Sequence, residues 1–367
     1  MTRLSGVLAC EDWILRPATV IFGSRIEAVE WLSGPSDGDL VLPGFIDLQV
    51  NGGFGVNVAQ ASAEELAGLA EALTRGGTTS FLATLITAPL DRIERADATV
   101  AQAIAAQAES EERGSPAAAI LGVHLEGPFI SPRCLGIHPA LNLEPLGNAL
   151  ERVLGLKTLR LLTIAPELDG ACDAIRCLVA RGVVVSLGHS YATLDEAERA
   201  LAAGARMFTH LFNAMRPLHH RDPGIVGAAL RAPSAMVAMI ADGVHVHPEI
   251  LQIVYRLRGA DGIILTTDRV DDTPSETQGG NAAGPAVFEG ERLAGSTISM
   301  LDAVRMMASR AGVPIGEAAR MAAGNPARVL GLDDRGRIAA GARADLLVIS
   351  RDLELKAVFI SGREVKL

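Results

Sequence analysis

Short apolar runs alternate with amphipathic stretches through the middle of the chain. The runs are rich in Val, Ile and Leu and lack the in–out alternation of a half-exposed strand, which is typical of parallel sheets covered on both faces. Strand and helix signals in alternation indicate the α/β class. Eight strands are predicted, in L-P-G-F-I-D-L-Q-V, T-T-S-F-L-A-T-L, A-A-I-L-G-V-H-L-E, L-R-L-L-T-I, G-V-V-V-S-L-G, A-R-M-F-T, A-M-V-A-M-I-A and G-I-I-L-T-T.

Helices are predicted between these strands. The stretch A-E-E-L-A-G-L-A-E-A-L has helical spacing, and a long Ala-rich helix is expected from Leu90 to about Glu112. Two further helices are expected after the last strand, around Ser299 to Arg310 and Ile315 to Leu330. Eight strand–helix units predict a (β/α)₈ TIM barrel over residues 42–335.

Both ends of the chain differ from this middle. Residues 1–41 and 336–367 consist of short β-like pieces separated by turn residues such as G-P-S-D-G-D. We therefore expect one small β-sandwich domain formed by both termini. The alternative is that the two ends are separate decorations on the barrel.

Composition narrows the class of protein. Of 367 residues, 49% are hydrophobic and 21% charged, so the chain can bury a large core and wholesale disorder is excluded. The formal net charge is −10 and no basic patch stands out, so we expect no nucleic-acid partner. No run reaches the ~18–20 apolar residues of a membrane span. The apolar stretch before Cys10 is too short for a signal peptide, and the cysteines form no regular framework, so we expect a cytoplasmic protein.

Four candidate functional side chains follow the predicted strands. They are Glu126 in V-H-L-E-G-P, His189 in V-S-L-G-H-S, His210 in M-F-T-H-L-F-N-A-M and Asp268 in I-I-L-T-T-D. In a (β/α)₈ barrel the carboxyl ends of the strands share one face, where active sites are built. One Glu and two His suit Zn²⁺ and leave a coordination position for water, with the Asp as its base. Any one of these residues alone would more often be structural, but the four together favour a metal site.

Longer motifs give the chain a family resemblance. It resembles the N-acetylglucosamine-6-phosphate deacetylases of the amidohydrolase superfamily in L-P-G-F-I-D-L-Q-V-N-G, H-L-E-G-P-F, S-L-G-H-S, T-H-L-F-N-A-M, A-D-G-V-H-V, L-T-T-D and A-G-S-T-I-S-M. The resemblance covers almost the whole length. It implies a barrel of the metal-dependent hydrolase type that removes the N-acetyl group of N-acetylglucosamine 6-phosphate, leaving glucosamine 6-phosphate and acetate.

The first predicted strand departs from a pattern common among amidohydrolases. Many have His-x-His after the Asp, which supplies two ligands to a second metal, whereas this chain has Gln49-Val50-Asn51. Neutral amides are poor Zn²⁺ ligands compared with imidazole. We therefore expect one divalent ion per chain, with Zn²⁺ as the expected ion, bound by Glu126, His189 and His210. Gln49 and Asn51 would then hydrogen-bond loops or substrate.

The resemblance also implies the remaining site residues. Asp268 would take the proton of the attacking water and return it to the departing amine, and His138 would donate a hydrogen bond to the oxyanion and face the substrate. Asn213, Ala214, Arg221 and His245 match substrate-binding positions, with Arg221 on the phosphate. In this family the Arg loop can reach the partner's site, which implies a homodimer.

Two other functions stay open. Another amidohydrolase, such as a deaminase or cyclic amidase acting on a different small amide, would share the barrel, although H-L-E-G-P and T-H-L-F-N-A-M argue against it. A non-catalytic barrel used for binding or assembly would be expected to lack a ligand or the base, and none of the four is missing.

Overall fold

Eight parallel strands form one continuous sheet in the computed structural model, which describes residues 1–34, 37–113, 115–271, 280–290 and 292–367. Numbered along the chain, they are β5 (Phe45–Val50), β8 (Thr78–Ile86), β9 (Ala119–Glu126), β10 (Leu159–Ile164), β11 (Val184–Leu187), β12 (Met207–Phe208), β13 (Met236–Ile240) and β14 (Ile263–Thr266). They pair in chain order. The backbone N–H groups of Asn51 and Gly52 donate to the Arg269 carbonyl, which joins the chain after β5 to the chain after β14. The predicted TIM barrel is confirmed.

The lower half of the barrel interior is apolar. All eight strands and the last helix contribute to one cluster that includes Ile46, Leu48, Leu82, Leu121, Leu161, Val184, Met207, Ala238, Ile264, Ala327 and Leu330. Above it lies a buried polar chain, in which His124 Nε2 contacts Thr163 Oγ1 at 2.8 Å and Thr209 Oγ1 contacts Thr163 at 2.7 Å and Ser186 at 2.6 Å. This filled interior supports the carboxyl ends of the strands from below.

Ten helices are described around and beyond the strands. They are α1 (Ala63–Thr74), α2 (Leu90–Arg113), α3 (Gly147–Leu154), α4 (Ala171–Ala180), α5 (Leu194–Ala203), α6 (Gly224–Arg231), α7 (Pro248–Arg258), α8 (Met300–Ser309), α9 (Ile315–Ala322) and α10 (Gly324–Leu330). Capping boxes begin three of them, for example Ser62 with Glu65 at α1. No described helix has the length and apolar character needed to cross a membrane.

The predicted helix from Ile315 to Leu330 is two helices. Ala323, with φ −128° and ψ −62°, separates α9 from α10. Pro326 has no N–H for the preceding turn. Gly324 packs so closely on Trp13 that a Cβ there would lie 2.3 Å from the ring atom Cζ2. The break therefore lets the N-terminal segment pack against the helices that close the barrel.

Both ends of the chain build one seven-stranded sheet, which confirms the predicted small β domain. Its strands are β1 (Thr2–Ala9), β2 (Leu15–Phe22), β3 (Ile26–Trp31), β4 (Leu40–Pro43), β18 (Leu346–Ile349), β19 (Leu355–Ile360) and β20 (Arg363–Val365). The order is β20-β19-β18-β4-β1-β2-β3, so β4 joins the two termini. Leu8, Val20 and Phe22 lie in its buried core. The expected domain boundary between residues 41 and 42 falls within β4.

Two small sheets lie at the carboxyl end of the barrel. One pairs β6 (Gly52–Gly53) with β7 (Val56–Asn57), and the other joins β15 (Gly280–Ala283), β16 (Ala286–Glu289) and β17 (Arg292–Ser296). The β15–β17 sheet was not predicted from the sequence. It lies between β14 and α8 and lines a cavity at that end of the barrel.

Candidate active site

The four residues predicted at strand ends lie together at the top of the barrel. Glu126 is the last residue of β9, and His189, His210 and Asp268 each lie two residues beyond β11, β12 and β14. The last three have φ values of 47°, 27° and 50°, in the left-handed region that costs non-glycine residues about 1–3 kcal/mol each. Such backbone strain clusters at functional sites, where the surrounding structure holds the side chains in place.

Glu126, His189 and His210 form a tight group of donor atoms. Glu126 Oε1 lies 2.8 Å from His210 Nε2 and 3.1 Å from His189 Nε2, and the two Nε2 atoms lie 3.1 Å apart. His189 Nδ1 lies 2.9 Å from the Cys134 carbonyl oxygen, which can only accept a hydrogen bond. The hydrogen of His189 is therefore on Nδ1, and its Nε2 directs a lone pair at the group. This set fits a divalent ion with imidazole and carboxylate ligands.

His138 adds a fourth buried group beside these. Its Nε2 lies 3.6 Å from Glu126 Oε2, and the donor atoms of Glu126, His138 and His189 all lie within 4.8 Å of one another, so this second trio is also a possible metal site. The Thr87 backbone N–H donates to His138 Nδ1 at 3.4 Å, and the Thr87 hydroxyl, 2.9 Å away, can donate to the same nitrogen. An acceptor Nδ1 places the ring hydrogen on Nε2. That tautomer makes His138 a hydrogen-bond donor and favours His210 as the third ligand.

The two carboxylates of the site have opposite pKa shifts. Burial acts to raise the pKa of Glu126, but the adjacent imidazoles of His138, His189 and His210 hold it well below its usual value. Burial and the charge of Glu126 raise the pKa of Asp268 to about 6, against the influence of His210. Two acids with separated pKa values can take different roles. Glu126 stays an anion suited to a cation, and Asp268 can exchange a proton near neutral pH.

The two amides that replace the His-x-His pair bond to these carboxylates. Gln49 Nε2 donates to Glu126 Oε1 at 3.0 Å, and Asn51 Nδ2 donates to Asp268 Oδ1 at 2.7 Å. The expectation that they bond loops or substrate misses these contacts, because the sequence did not show that strand β5 lies beside both acids. Asn51 Oδ1 is buried and has no partner among the described residues, so it remains available to accept a hydrogen bond.

A cavity of about 590 Å³ opens over this group. Its walls include His138, Asn213, Ala214 and His245, all predicted to contact substrate. Arg221 is not part of the wall. It is exposed, and its backbone N–H donates to His219 Nδ1. Within a single chain, therefore, the predicted phosphate ligand lies outside the cavity.

Two residues of this region, Asp242 and Arg292, were not predicted from the sequence. The fully buried Asp242 carboxylate accepts the backbone N–H groups of Val244 and His245 at 2.8 Å and contacts His245 Nδ1 at 2.6 Å. An Asp that bonds to backbone groups two and three residues ahead is a recognisable turn signal in A-D-G-V-H. Arg292 lines the cavity from β17, and no sequence signal distinguishes it from an ordinary hairpin cation.

Comparison with known proteins agrees with this geometry. The sequence profile of the amidohydrolase family matches residues 40–365. N-acetylglucosamine-6-phosphate deacetylase of Bos taurus is 39% identical over 98% of this chain and 92% of that protein. The chain belongs to the amidohydrolase family, among its N-acetylglucosamine-6-phosphate deacetylases.

Two further members of the family are named for different sugar phosphates. A mutant N-acetyl-D-glucosamine-6-phosphate deacetylase from Mycobacterium smegmatis, solved in complex with N-acetyl-D-glucosamine-6-phosphate, superimposes with a TM-score of 0.88 at 34% identity, covering 100% of this chain and 99% of that one. An N-acetylgalactosamine-6-phosphate deacetylase of Escherichia coli is 36% identical over 98% of both chains.

Amidohydrolases are metal-dependent, and the buried side chains of Glu126, His138 and His189 give this member a possible metal-binding cluster.

Proposed function

We propose that this chain hydrolyses the N-acetyl group of N-acetylglucosamine 6-phosphate to glucosamine 6-phosphate and acetate. One observation carries the proposal. In a chain that belongs to this deacetylase family, Glu126, His189, His210 and Asp268 converge at the floor of one cavity at the carboxyl end of the barrel. A carboxylate–imidazole donor set beside a separate carboxylic acid is suited to hydrolysis of an unactivated amide.

Asp268 is the proton carrier in this proposal. Its carboxylate is held by Asn51 and lies on the cavity wall, where it can accept a proton from the attacking water. It then donates that proton to the nitrogen of the departing group, because a neutral amine leaves far more readily than the corresponding amide anion. A divalent ion held by Glu126, His189 and His210, which we propose to be Zn²⁺, would acidify the water and polarise the acetyl carbonyl. The raised pKa of Asp268 suits both halves of the transfer.

His138 stabilises negative charge on the acetyl oxygen. The Thr87 backbone N–H at Nδ1 favours a hydrogen on His138 Nε2, which lies 3.6 Å from Glu126 Oε2 in a residue that lines the cavity. That separation is too long for a strong hydrogen bond, so the donor is available to the substrate. Burial is the main reason that the pKa of His138 is lowered, which keeps the ring neutral.

The sugar phosphate would lie against Asn213, Ala214 and His245. We propose that Arg221 reaches the phosphate from the partner of a homodimer, because it is exposed and lies outside its own cavity. An exposed apolar stripe on α7, formed by Ile250, Ile253 and Leu257, supports association of two chains. The free cysteines fit the cytoplasmic location that we propose.

An acetate-release assay on the purified protein tests the function. We expect turnover of N-acetylglucosamine 6-phosphate and little activity on adenine or dihydroorotate, which represent the deaminase and cyclic-amidase alternatives. N-acetylgalactosamine 6-phosphate belongs in the same assay, because one relative is named for that substrate. Faster turnover of adenine or dihydroorotate would replace the deacetylase proposal with another amidohydrolase reaction.

Metal content gives a second prediction. We expect about one tightly bound divalent ion per chain, because Gln49 and Asn51 donate to the two acids and offer no imidazole for a second ion. Elemental analysis of the loaded protein would measure the ratio. Glu126→Gln should lower it sharply, since an amide lacks the carboxylate charge. Two tight ions per chain, both needed for turnover, would contradict the prediction.

Asp242 gives a third prediction, through His245. The carboxylate of Asp242 fixes the ring hydrogen of His245 on Nδ1 and directs Nε2 into the cavity. In Asp242→Asn an amide N–H faces Nδ1 and favours the opposite tautomer. We expect kcat/KM to fall by about 10- to 100-fold, the range for losing the partner that orients a site imidazole.

Nitrogen NMR of labelled histidine separates this effect from a general structural one. The His245 hydrogen should move from Nδ1 to Nε2 in Asp242→Asn, and His245→Gln assigns the signal. Asp352→Asn, an exposed change in the small domain, should alter neither the tautomer nor kcat/KM. An unchanged tautomer in Asp242→Asn would remove Asp242 from this role.

A further inference from the structure

Arg292 is the only Lys or Arg side chain among the described residues that line the active-site cavity. The same wall carries the acids Glu126, Asp268, Asp271 and Glu289. A metal ion would offset charge at Glu126 but not at the outer acids. A dianionic phosphate entering this cavity therefore needs a further cation, and within one chain Arg292 is the side chain that supplies it.

The position of Arg292 suits the phosphate of an N-acetylated sugar whose acetyl group lies at the metal-binding cluster. Arg292 Nη1 donates to the Gly136 carbonyl at 3.0 Å. A Cβ built on Gly136 would lie 3.4 Å from His189 Cε1 and 4.0 Å from the Ala214 Cβ. Arg292 thus contacts Gly136, the residue that packs beside a proposed metal ligand and Ala214. Arg292 and the proposed metal ligands therefore line the same cavity, in which one sugar phosphate could contact both.

Arg292 also has unused hydrogen-bonding capacity. A guanidinium carries five N–H donors, and among the described residues the Gly136 carbonyl is its one hydrogen-bond acceptor. No described carboxylate forms an ion pair with it, although Glu289 lies on the same wall. A planar fork with free donors is suited to bidentate contact with phosphate.

We propose that Arg292 binds the substrate phosphate in cis, from the same chain that supplies Asp268. The proposal rests on the proposed function, and it differs from the role given to Arg221, which would act from the partner chain. The two are compatible, because a phosphate has three oxygens to share. The competing explanation is that Arg292 only ties the β15–β17 sheet to the loop at Gly136.

Substitution of Arg292 separates these explanations. Arg292→Gln should lose roughly 10- to 100-fold in kcat/KM on N-acetylglucosamine 6-phosphate, the range for a hydrogen bond to a charged group. Activity on unphosphorylated N-acetylglucosamine should barely change. Arg292→Lys keeps the charge without the fork and should lie between. Arg363→Gln, an exposed change in the small domain, serves as the matched control. Equal losses on both sugars would show that Arg292 is only a structural tie, and no loss on either would overturn the proposal.

Calorimetry keeps this test independent of turnover. Glucosamine 6-phosphate and glucosamine are titrated into wild-type protein and Arg292→Gln. We expect the variant to weaken binding of the phosphorylated amine selectively. If wild-type protein released no acetate from any sugar, the deacetylase proposal would fail, whereas the selective loss of phosphate binding would still support the Arg292 site. Unaltered binding of glucosamine 6-phosphate to the variant would overturn it.

Mixing of variants tests whether Arg292 acts in the site of its own chain. Arg292→Gln and Asp268→Asn chains, denatured together and refolded, should regain no activity on the phosphorylated sugar, because each site lacks one of the two groups. Recovery of activity would place Arg292 in the partner's site and overturn the proposal.

Discussion

Asp268→Asn is expected to lower turnover by roughly 10²–10⁴-fold while leaving the fold and metal content intact. The amide is the same size, and its oxygen can still accept the hydrogen bond from Asn51 Nδ2. It cannot take a proton from water or give one to the departing amine. Since one group performs both transfers, the loss should lie in kcat more than in KM.

Three measurements decide the role of Asp268. Acetate release gives kcat, elemental analysis verifies the metal, and calorimetry with N-acetylglucosamine 6-phosphate reports substrate binding. Asp195→Asn, an exposed change in the first turn of α5, is the matched control and should keep full turnover. Near-normal turnover in Asp268→Asn with verified metal would remove Asp268 from the mechanism.

Much of the site was predictable because barrel topology turns strand ends into neighbours. Glu126, His189 and His210 are separated by up to 84 positions, yet their donor atoms lie within 3.1 Å of one another. The sequence contained the needed information, since each residue ends or follows an apolar run. The tautomers were not predictable. They depend on the Cys134 carbonyl and the Thr87 N–H, which only the folded loops bring to the two imidazoles.

Other features depend on contacts that carry no sequence period. The β15–β17 sheet has strands of only four or five residues and a register shift between Val287 and Phe288, so its pattern is weak. Arg292 reaches the cavity only because that sheet folds over the loop at Gly136. The break between α9 and α10 reflects packing on Trp13 from the far end of the chain. In each case a long-range contact, rather than local propensity, decides the outcome.

Arg221→Ala is expected to lose roughly 2–4 kcal/mol of transition-state stabilisation on N-acetylglucosamine 6-phosphate, the scale for truncating one partner of a well-paired charge contact. Unphosphorylated N-acetylglucosamine should be affected little, because it lacks the group that Arg221 contacts. Arg221 is exposed and lies outside its own cavity, so the change should leave the stability of the single chain nearly unaltered. Thermal unfolding checks that point, and kcat/KM on the two sugars checks the selectivity.

The partner's contribution is tested by mixing Arg221→Ala chains with Asp268→Asn chains. If Arg221 crosses, a heterodimer has one site with Asp268 from the first chain and Arg221 from the second. Random association makes half of the dimers mixed, so roughly one quarter of all sites should regain full activity, by two-fold symmetry. Neither variant alone contains such a site, and the mixture of Arg292→Gln with Asp268→Asn should not recover activity.

Failure of the Arg221 mixture to recover activity would show that Arg221 does not act across the interface. Equal losses of Arg221→Ala on both sugars would make it a structural residue, and the phosphate contact would then belong to groups within the chain, with Arg292 the first to examine.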